Sequence, residues 1–256
     1  MIDPRAVIDP AAELAADVNV GPFTVIGPDV LIDAGTWIGP HAVINGPTCI
    51  GRENRIYQFA SIGDAPQDRK YTGEPTRLEV GDRNVIREFV TINRGTTQDE
   101  GLTRIGNDNW IMAYAHIAHD CRVGSEVVFS NSASLAGHVT VDDFAILGGF
   151  TLVHQYCSIG SYAFCSFGSV ISKDVPPFIT VAGNPAHEQG LNGEGLKRHG
   201  FPETSRNVLR QCYRIIYRSN LSLQEAGDRL RELDDVNGEV AMLVEFLARQ
   251  KRGLVR

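Results

Sequence analysis

An aliphatic residue returns at every sixth position along most of this chain. Ile8, Leu14, Val20, Ile26, Ile32, Ile38, Ile44, Ile50, Ile56 and Ile62 form a first run. Val80, Ile86 and Ile92 follow in phase, three hexads after Ile62. After a slip come Ile105, Ile111, Ile117, Val123, Phe129, Leu135, Val141, Leu147, Val153, Ile159, Cys165 and Ile171. A straight, half-buried strand alternates with period two and cannot bury one residue in six. A coil with flat sides and regular corners can. Three hexads per coil predict a parallel β-helix whose triangular turns hold 18 residues each and stack at roughly 4.8 Å. The 25 slots give about eight coils, with small residues expected where the backbone turns sharply. A solenoid of this kind needs its ends covered.

Two stretches break the rhythm. Residues 64–79 (DAPQDRKYTGEPTRLE) and 94–104 (RGTTQDEGLTR) read as loops thrown out of a corner. Loops carried on a rigid scaffold often bear function. The hexad ends near Pro176-Pro177, and the tail changes to a helical period. Leu209, Cys212, Tyr213, Ile216 and Tyr217 form an apolar stripe over 203–219. Ser222 and Glu225 make a capping box for the next helix, and a last helix spans about Glu239 to Gln250. Two domains are expected: a β-helix over 1–185 and a helical domain over 186–256.

Charge separates the two parts further. The net charge is −7, but residues 1–190 carry 12 basic and 22 acidic side chains, whereas the tail has 12 basic and 9 acidic. So acidic a body argues against nucleic acid as a partner, while the basic tail suits an acidic protein. Arg206, Arg210, Arg214 and Arg218 repeat at i+4 and share a face; that face is either a docking stripe or an ordinary solvated surface. Five cysteines (49, 121, 157, 165, 212) include no C-x-x-C pair and read as reduced thiols of a cytoplasmic protein. The hexad begins at Ile2, which leaves no room for a signal peptide. No apolar run approaches the ~18 residues of a membrane span.

Four of the seven histidines, His116, His119, His138 and His154, fall in the third run. A period of 18 stacks His119, Gly137 and Gln155 on one corner column and puts His138, above Asp120, beside it. Three readings compete. The histidines could cap corners and hydrogen-bond the next coil. They could bind a metal across a subunit boundary, although His116 and His119 are three apart and lack the His-x4-His spacing of trimeric hexapeptide carbonic anhydrases. Or an imidazole general base could sit beside a glycine N–H that serves as oxyanion donor, the pairing that acyl transfer requires.

The segments AHIAHDC (115–121), LAGHVTVDDFAILGG (135–149), VHQYC (153–157), IYQFASIG (56–63), QDRKYTGEPTRLEVGDRN (67–84) and EGLKRHGF (194–201) resemble the acyl-[acyl-carrier-protein]–UDP-N-acetylglucosamine O-acyltransferase family over nearly the whole chain. The resemblance implies a left-handed parallel β-helix with a C-terminal α-helical domain, a homotrimer with sites between subunits, and the first step of lipid A biosynthesis. An (R)-3-hydroxyacyl group would pass from acyl carrier protein to the 3-OH of UDP-N-acetylglucosamine. The thioester would be the donor, with no cofactor and no metal. His119 matches the general base and Gly137 the oxyanion donor. Asp68 and Lys70 resemble sugar and phosphate-region contacts reaching over from a neighbouring subunit. His116, His138, His154 and Gln155 resemble further substrate contacts. Asn192, Glu194 and Arg198 match the nucleotide end, and the Arg206–Arg218 stripe suits the acidic carrier.

Two positions depart from the family pattern. His199 stands where Arg is common. Phe167 aligns with the position that limits acyl length; Phe in place of Gly implies a donor of about ten carbons or fewer. Within the same fold, the later N-acyltransferase of the pathway is the runner-up; it carries an extra N-terminal domain, which hexads beginning at residue 2 argue against. A metalloenzyme and a non-catalytic scaffold are the remaining alternatives.

Overall fold

The computed structural model describes residues 1–235 and 237–256. Each of the 25 slots lies in a short parallel strand of two to four residues. These strands build a three-faced prism with nine, eight and eight of them on its three faces. The first face runs from Val7–Ile8 to Val170–Ile171, the second from Glu13–Leu14 to Ser158–Ile159, and the third from Asn19–Val20 to Phe164–Cys165. The hexad register holds coil on coil, with Ile8 against Ile26, Ile26 against Ile44 and Ile44 against Ile62. The prism is a left-handed parallel β-helix. Its interior is a column of slot side chains, most of them fully buried.

The corners differ from expectation. They do turn through left-handed backbone, but mostly not at small residues. The third residue after a slot takes φ near +60°, and there the chain carries Phe23, His41, Phe59, Phe89 and Tyr114 at one corner. The cost of αL for such residues is offset by ring stacking from coil to coil, with centroids 4.9–5.3 Å apart. Small residues are instead needed directly after the slot, where coils touch: a Cβ on Gly21 would lie 2.7 Å from the Pro40 nitrogen. A second corner buries Asn54, Asn84 and Asn109 as a ladder. Asn84 Nδ2 donates to Asn54 Oδ1 at 3.0 Å, and Asn109 Nδ2 to Asn84 Oδ1 at 2.9 Å.

Both loops are shorter than the broken pattern suggested. Strands extend over Ser61–Asp64, Arg77–Val80 and Leu102–Ile105, because Arg77–Val80 pairs with Leu102–Ile105 on one side and with Thr48–Ile50 on the other. The excursions are therefore 65–76 and 94–101. Ile62 and Val80, three hexads apart in sequence, stand on neighbouring faces, so the first loop adds two hexads of chain. Both loops leave from the corner between the first and second faces, in successive coils.

Past Pro177 the chain adds two strands to the third face. Ile179–Ala182 pairs parallel with Phe164–Cys165, and His187–Leu191 pairs antiparallel with Ile179–Ala182. The boundary expected at 185/186 falls in the turn between them. Four helices follow: α1 (Gly193–Arg198), α2 (Glu203–Arg218), α3 (Leu223–Arg231) and α4 (Glu239–Arg249). The capping box of Ser222 and Glu225 is formed in both directions. Leu196, Leu209, Cys212, Ile216, Leu230, Val240, Leu243, Phe246 and Leu254 make a second core around Phe178. Tyr213 and Tyr217 pack from α2 against the prism core and help cover its end.

Candidate active site

The corner between the first and second faces carries both loops and then, coil by coil, Asp120, His138 and Tyr156, all in left-handed backbone. The αL turn at Asp120 brings two consecutive side chains together. His119 Nδ1 lies 2.9 Å from Asp120 Oδ2. Asp120 is almost fully buried. Its Oδ1 accepts the Thr96 N–H at 2.8 Å and its Oδ2 the Thr96 hydroxyl at 2.6 Å. Burial alone would raise this carboxyl's pKa, but the hydrogen bonds from His119 and Thr96 outweigh it and hold the group below its usual range. An ionised carboxylate only accepts, so His119 Nδ1 donates to it, and in the neutral imidazole the free lone pair is the one on Nε2.

The other face of that imidazole rests on glycine. A Cβ at Gly137 would come within 2.4 Å of His119 Cε1 and 2.7 Å of Nε2, so no side chain fits there. The column of His119, Gly137 and Gln155 is real: His138 N–H donates to the His119 carbonyl and Tyr156 N–H to the Gly137 carbonyl. The Gly137 N–H donates to no protein acceptor among the described residues. His138 stands edge-on to His119 with centroids 5.2 Å apart, and stacks on Tyr156 at 4.4 Å. Its Nδ1 is 3.3 Å from Asp99 Oδ2 and its Nε2 3.7 Å from Asp120 Oδ2. His116 Nδ1 is 2.7 Å from the Thr91 hydroxyl; burial, then the neighbouring His119, push its pKa down.

The first loop joins this corner from the same chain. Asp68 accepts from Gln98 at 3.3 Å and from the Lys70 N–H at 3.0 Å. These contacts lower its pKa, led by the Lys70 N–H, with the His119 imidazole among the contributors. Within one chain, the loop therefore lies beside His119. His154 and Gln155 occupy the next coil of the corner, both exposed.

Other candidates stand elsewhere. Asn192 caps α1, accepting from Gly195 N–H and donating to the Tyr162 carbonyl, and Glu194 pairs with Lys197. With Arg198 they sit against the corner between the second and third faces. There His199 packs edge-on to Phe144 and Tyr162. Phe167 stands at the third corner, 85% exposed. Along α2, Arg206 and Arg210 pair with Glu203, and Arg218 with Glu188; Arg214 makes no ion pair among the described residues.

Sequence reasoning passed over Asp120, Thr96 and Asp99. Asp120 had a signal, since it follows His119 directly at a corner. Thr96 and Asp99 lie in a loop with no register to place them. Ligand atoms of His119, Asp120 and His138 lie within 4.8 Å of one another, the grouping among the described residues that could hold a metal. Both Asp120 oxygens are already engaged by Thr96 and His119, however, so an ion would have to open those bonds. No thiol serves as nucleophile here: burial pushes the Cys121 thiol beside Asp120 up to about 12, and does the same to Cys157, Cys165 and Cys212. Cys49 is exposed on the second face.

Two family models match the chain. One, described as UDP N-acetylglucosamine O-acyltransferase, domain 2, covers residues 174–255. The other, bacterial transferase hexapeptide (six repeats), covers 102–137. A relative from Alkalilimnicola ehrlichii, named acyl-[acyl-carrier-protein]–UDP-N-acetylglucosamine O-acyltransferase, is 61% identical over 255 residues, covering 100% of this chain and 99% of the relative. The structure called LpxA from Acinetobacter baumannii superposes with a TM-score of 0.98 at 44% identity, over 100% of this chain and 99% of that one. UDP-N-acetylglucosamine O-acyltransferase from Moraxella catarrhalis gives 0.97 at 44%, with the same coverage.

Proposed function

Since the chain belongs to the acyl-[acyl-carrier-protein]–UDP-N-acetylglucosamine O-acyltransferase family, we propose that it transfers an (R)-3-hydroxyacyl group from acyl carrier protein to the 3-OH of UDP-N-acetylglucosamine, opening lipid A biosynthesis. The observation that carries the mechanism is the His119 imidazole held between the Asp120 carboxylate and the Gly137 backbone. His119 Nε2 takes the 3-OH proton as that oxygen attacks the thioester carbon. The Gly137 N–H donates to the oxyanion of the tetrahedral intermediate. Collapse breaks the C–S bond, and the departing carrier thiolate takes the proton from the imidazolium. Asp120 fixes the tautomer and stabilises the imidazolium. No acyl-enzyme forms, in keeping with the buried, un-ionised thiol of Cys121, the cysteine beside Asp120.

The site is shared between copies in this reading. Base, nucleotide-end residues and Phe167 occupy three different corners of one prism, so a single chain cannot gather them. A threefold assembly brings one chain's corners against its neighbours'. The first face suits such an interface and an acyl groove: outward positions Ser134, Leu152 and Val170, in register above His116, carry no charge. Phe167 ends that path and limits the chain to about ten carbons. Asn192, Glu194 and Arg198 hold the nucleotide, with Asn192 also serving α1. The basic face of α2, where Arg214 has no ion-pair partner among the described residues, receives the carrier. Among the described residues, no helix is long and apolar enough to cross a membrane. The unpaired cysteines fit the reducing cytoplasm, where we place the enzyme. Replacing His119 by Ala tests the mechanism: transfer is expected to fall by at least about 10²-fold with binding of UDP-N-acetylglucosamine retained, and undiminished transfer would remove His119 as base.

A further inference from the structure

Chain termini fray unless something ties them down; this C-terminus is tied. Asp174 is fully buried. Its Oδ1 accepts the Ser158 N–H at 2.8 Å, and its Oδ2 accepts the N–H groups of Lys251 at 2.8 Å and Arg252 at 3.1 Å. The main chain of Asp174 adds a donation to the Gly253 carbonyl at 2.8 Å and accepts from Val255 N–H at 2.9 Å. Residues 251–255 are thus stitched to the coil above Gln155. The result is a guanidinium at the active-site edge: Arg252 Nη2 lies 3.3 Å from His154 Nδ1. Arg252 is exposed and has no carboxylate partner among the described residues, unlike Arg206, Arg210, Arg218 and Arg249.

Position makes this cation useful. The strand Val170–Ile171 pairs with Leu152–Val153, so exposed Lys173 stands one coil above Gln155 on the column of His119 and Gly137. Near the base that edge carries Asp68, Asp99 and Asp120, with Lys70 beside Asp68 and Arg122 paired to Asp99. Two coils from His119, roughly 10 Å at the ladder spacing, Arg252 stands with no carboxylate partner among the described residues. Arginine has no acceptor, so against it His154 Nδ1 accepts and Nε2–H is offered to solvent. The contact of the same Nδ1 with the Gln155 carbonyl at 3.2 Å would need the opposite tautomer; the charged donor is the stronger partner.

We propose that Arg252, with His154 and Lys173, forms an anion site for a phosphate group of one of the two substrates, and that Asp174 positions it. This rests on the acyl-transfer reading above. Both the sugar nucleotide and the carrier's prosthetic arm bear phosphate, and kinetics separates them. Arg252→Ala removes the side chain and leaves the backbone N–H on Asp174, so folding is preserved; Arg252→Lys keeps charge without the planar fork. In the full-length enzyme, KM is measured for UDP-N-acetylglucosamine and for 3-hydroxyacyl carrier protein in turn. Calorimetric titration with UDP-N-acetylglucosamine gives a readout independent of turnover. The proposal predicts a rise of about tenfold or more in one of the two KM values for Arg252→Ala, the size of one charge-assisted contact, with partial recovery in Arg252→Lys and a smaller change in kcat. A rise for the nucleotide, matched by calorimetry, assigns its diphosphate; a rise for the carrier alone assigns the prosthetic phosphodiester. Both KM values within twofold of wild type in a folded Arg252→Ala enzyme would overturn the site. A wild-type enzyme that transfers no acyl group would instead sink the underlying function.

Discussion

Replacing Asp120 by Asn isolates what the buried carboxylate does. The substitution keeps shape and volume. Oδ1 accepts a backbone N–H from Thr96 that cannot reverse, so the amide oxygen must take that position. The NH2 then occupies the place of Oδ2 and faces the Thr96 hydroxyl and His119 Nδ1. The hydroxyl can rotate and accept; the imidazole must become the other tautomer, with Nδ1 accepting and Nε2 protonated. The base is lost while the fold remains. A wrong tautomer, together with loss of the charge that stabilises the imidazolium, is expected to lower kcat by about 10²–10⁴-fold, or ~3–5 kcal/mol. KM for either substrate changes little. Asp120→Ala differs: it strands the buried Thr96 N–H and costs about 1–3 kcal/mol of stability as well. Steady-state kinetics with a thermal melt on both variants checks the pair. An Asp120→Asn enzyme within about threefold of wild type in kcat, well short of a factor expected from a lost base, would refute the dyad.

Three further outcomes follow from the same geometry. Phe167→Gly is expected to shift donor preference toward longer 3-hydroxyacyl chains by at least about tenfold in relative kcat/KM; an unchanged ranking in a competition assay would remove Phe167 as a limit. The His116 pKa is depressed below 6.5 in the fold, so its contribution to stability is present above about pH 6.5 and is lost as pH falls through the folded value. Between about pH 7.5 and about pH 5, His116→Gln is therefore expected to lose less melting temperature than wild type, and equal losses would contradict the assignment. Asn84→Ala cuts a fully satisfied buried ladder, leaving the Asn109 donors without Asn84 Oδ1; the expected cost is about 3 kcal/mol, seen as a fall of roughly 5–10 °C in Tm, and a shift of under about 1 °C would show the ladder is dispensable.

The prism was legible because its core is one residue in six, and every slot from Ile8 to Ile171 became a strand. The same periodicity placed Gly137 over His119, since stacked coils turn a sequence offset into an address. It was blind where the chain leaves the coil. Thr96 and Asp99 reach Asp120 and His138 from a loop whose path no period fixes. The strands at 179–182 and 187–191 were missed because Val181 follows Cys165 in the sheet at a spacing that is not 18. Corner chemistry was also misjudged. Phe, Tyr and His tolerate αL at the corners because each ring stacks on the next coil, a gain visible only once the coils are in register.

Incubating the purified protein with UDP-N-acetylglucosamine and 3-hydroxyacyl carrier proteins of graded chain length, then locating any new ester on the sugar by mass spectrometry and NMR, tests the central claim most directly. The account predicts a single ester at O3, formed fastest with a donor of about ten carbons or fewer and lost in His119→Ala. Acylation at another atom, or O3 acylation that survives His119→Ala undiminished, would contradict it.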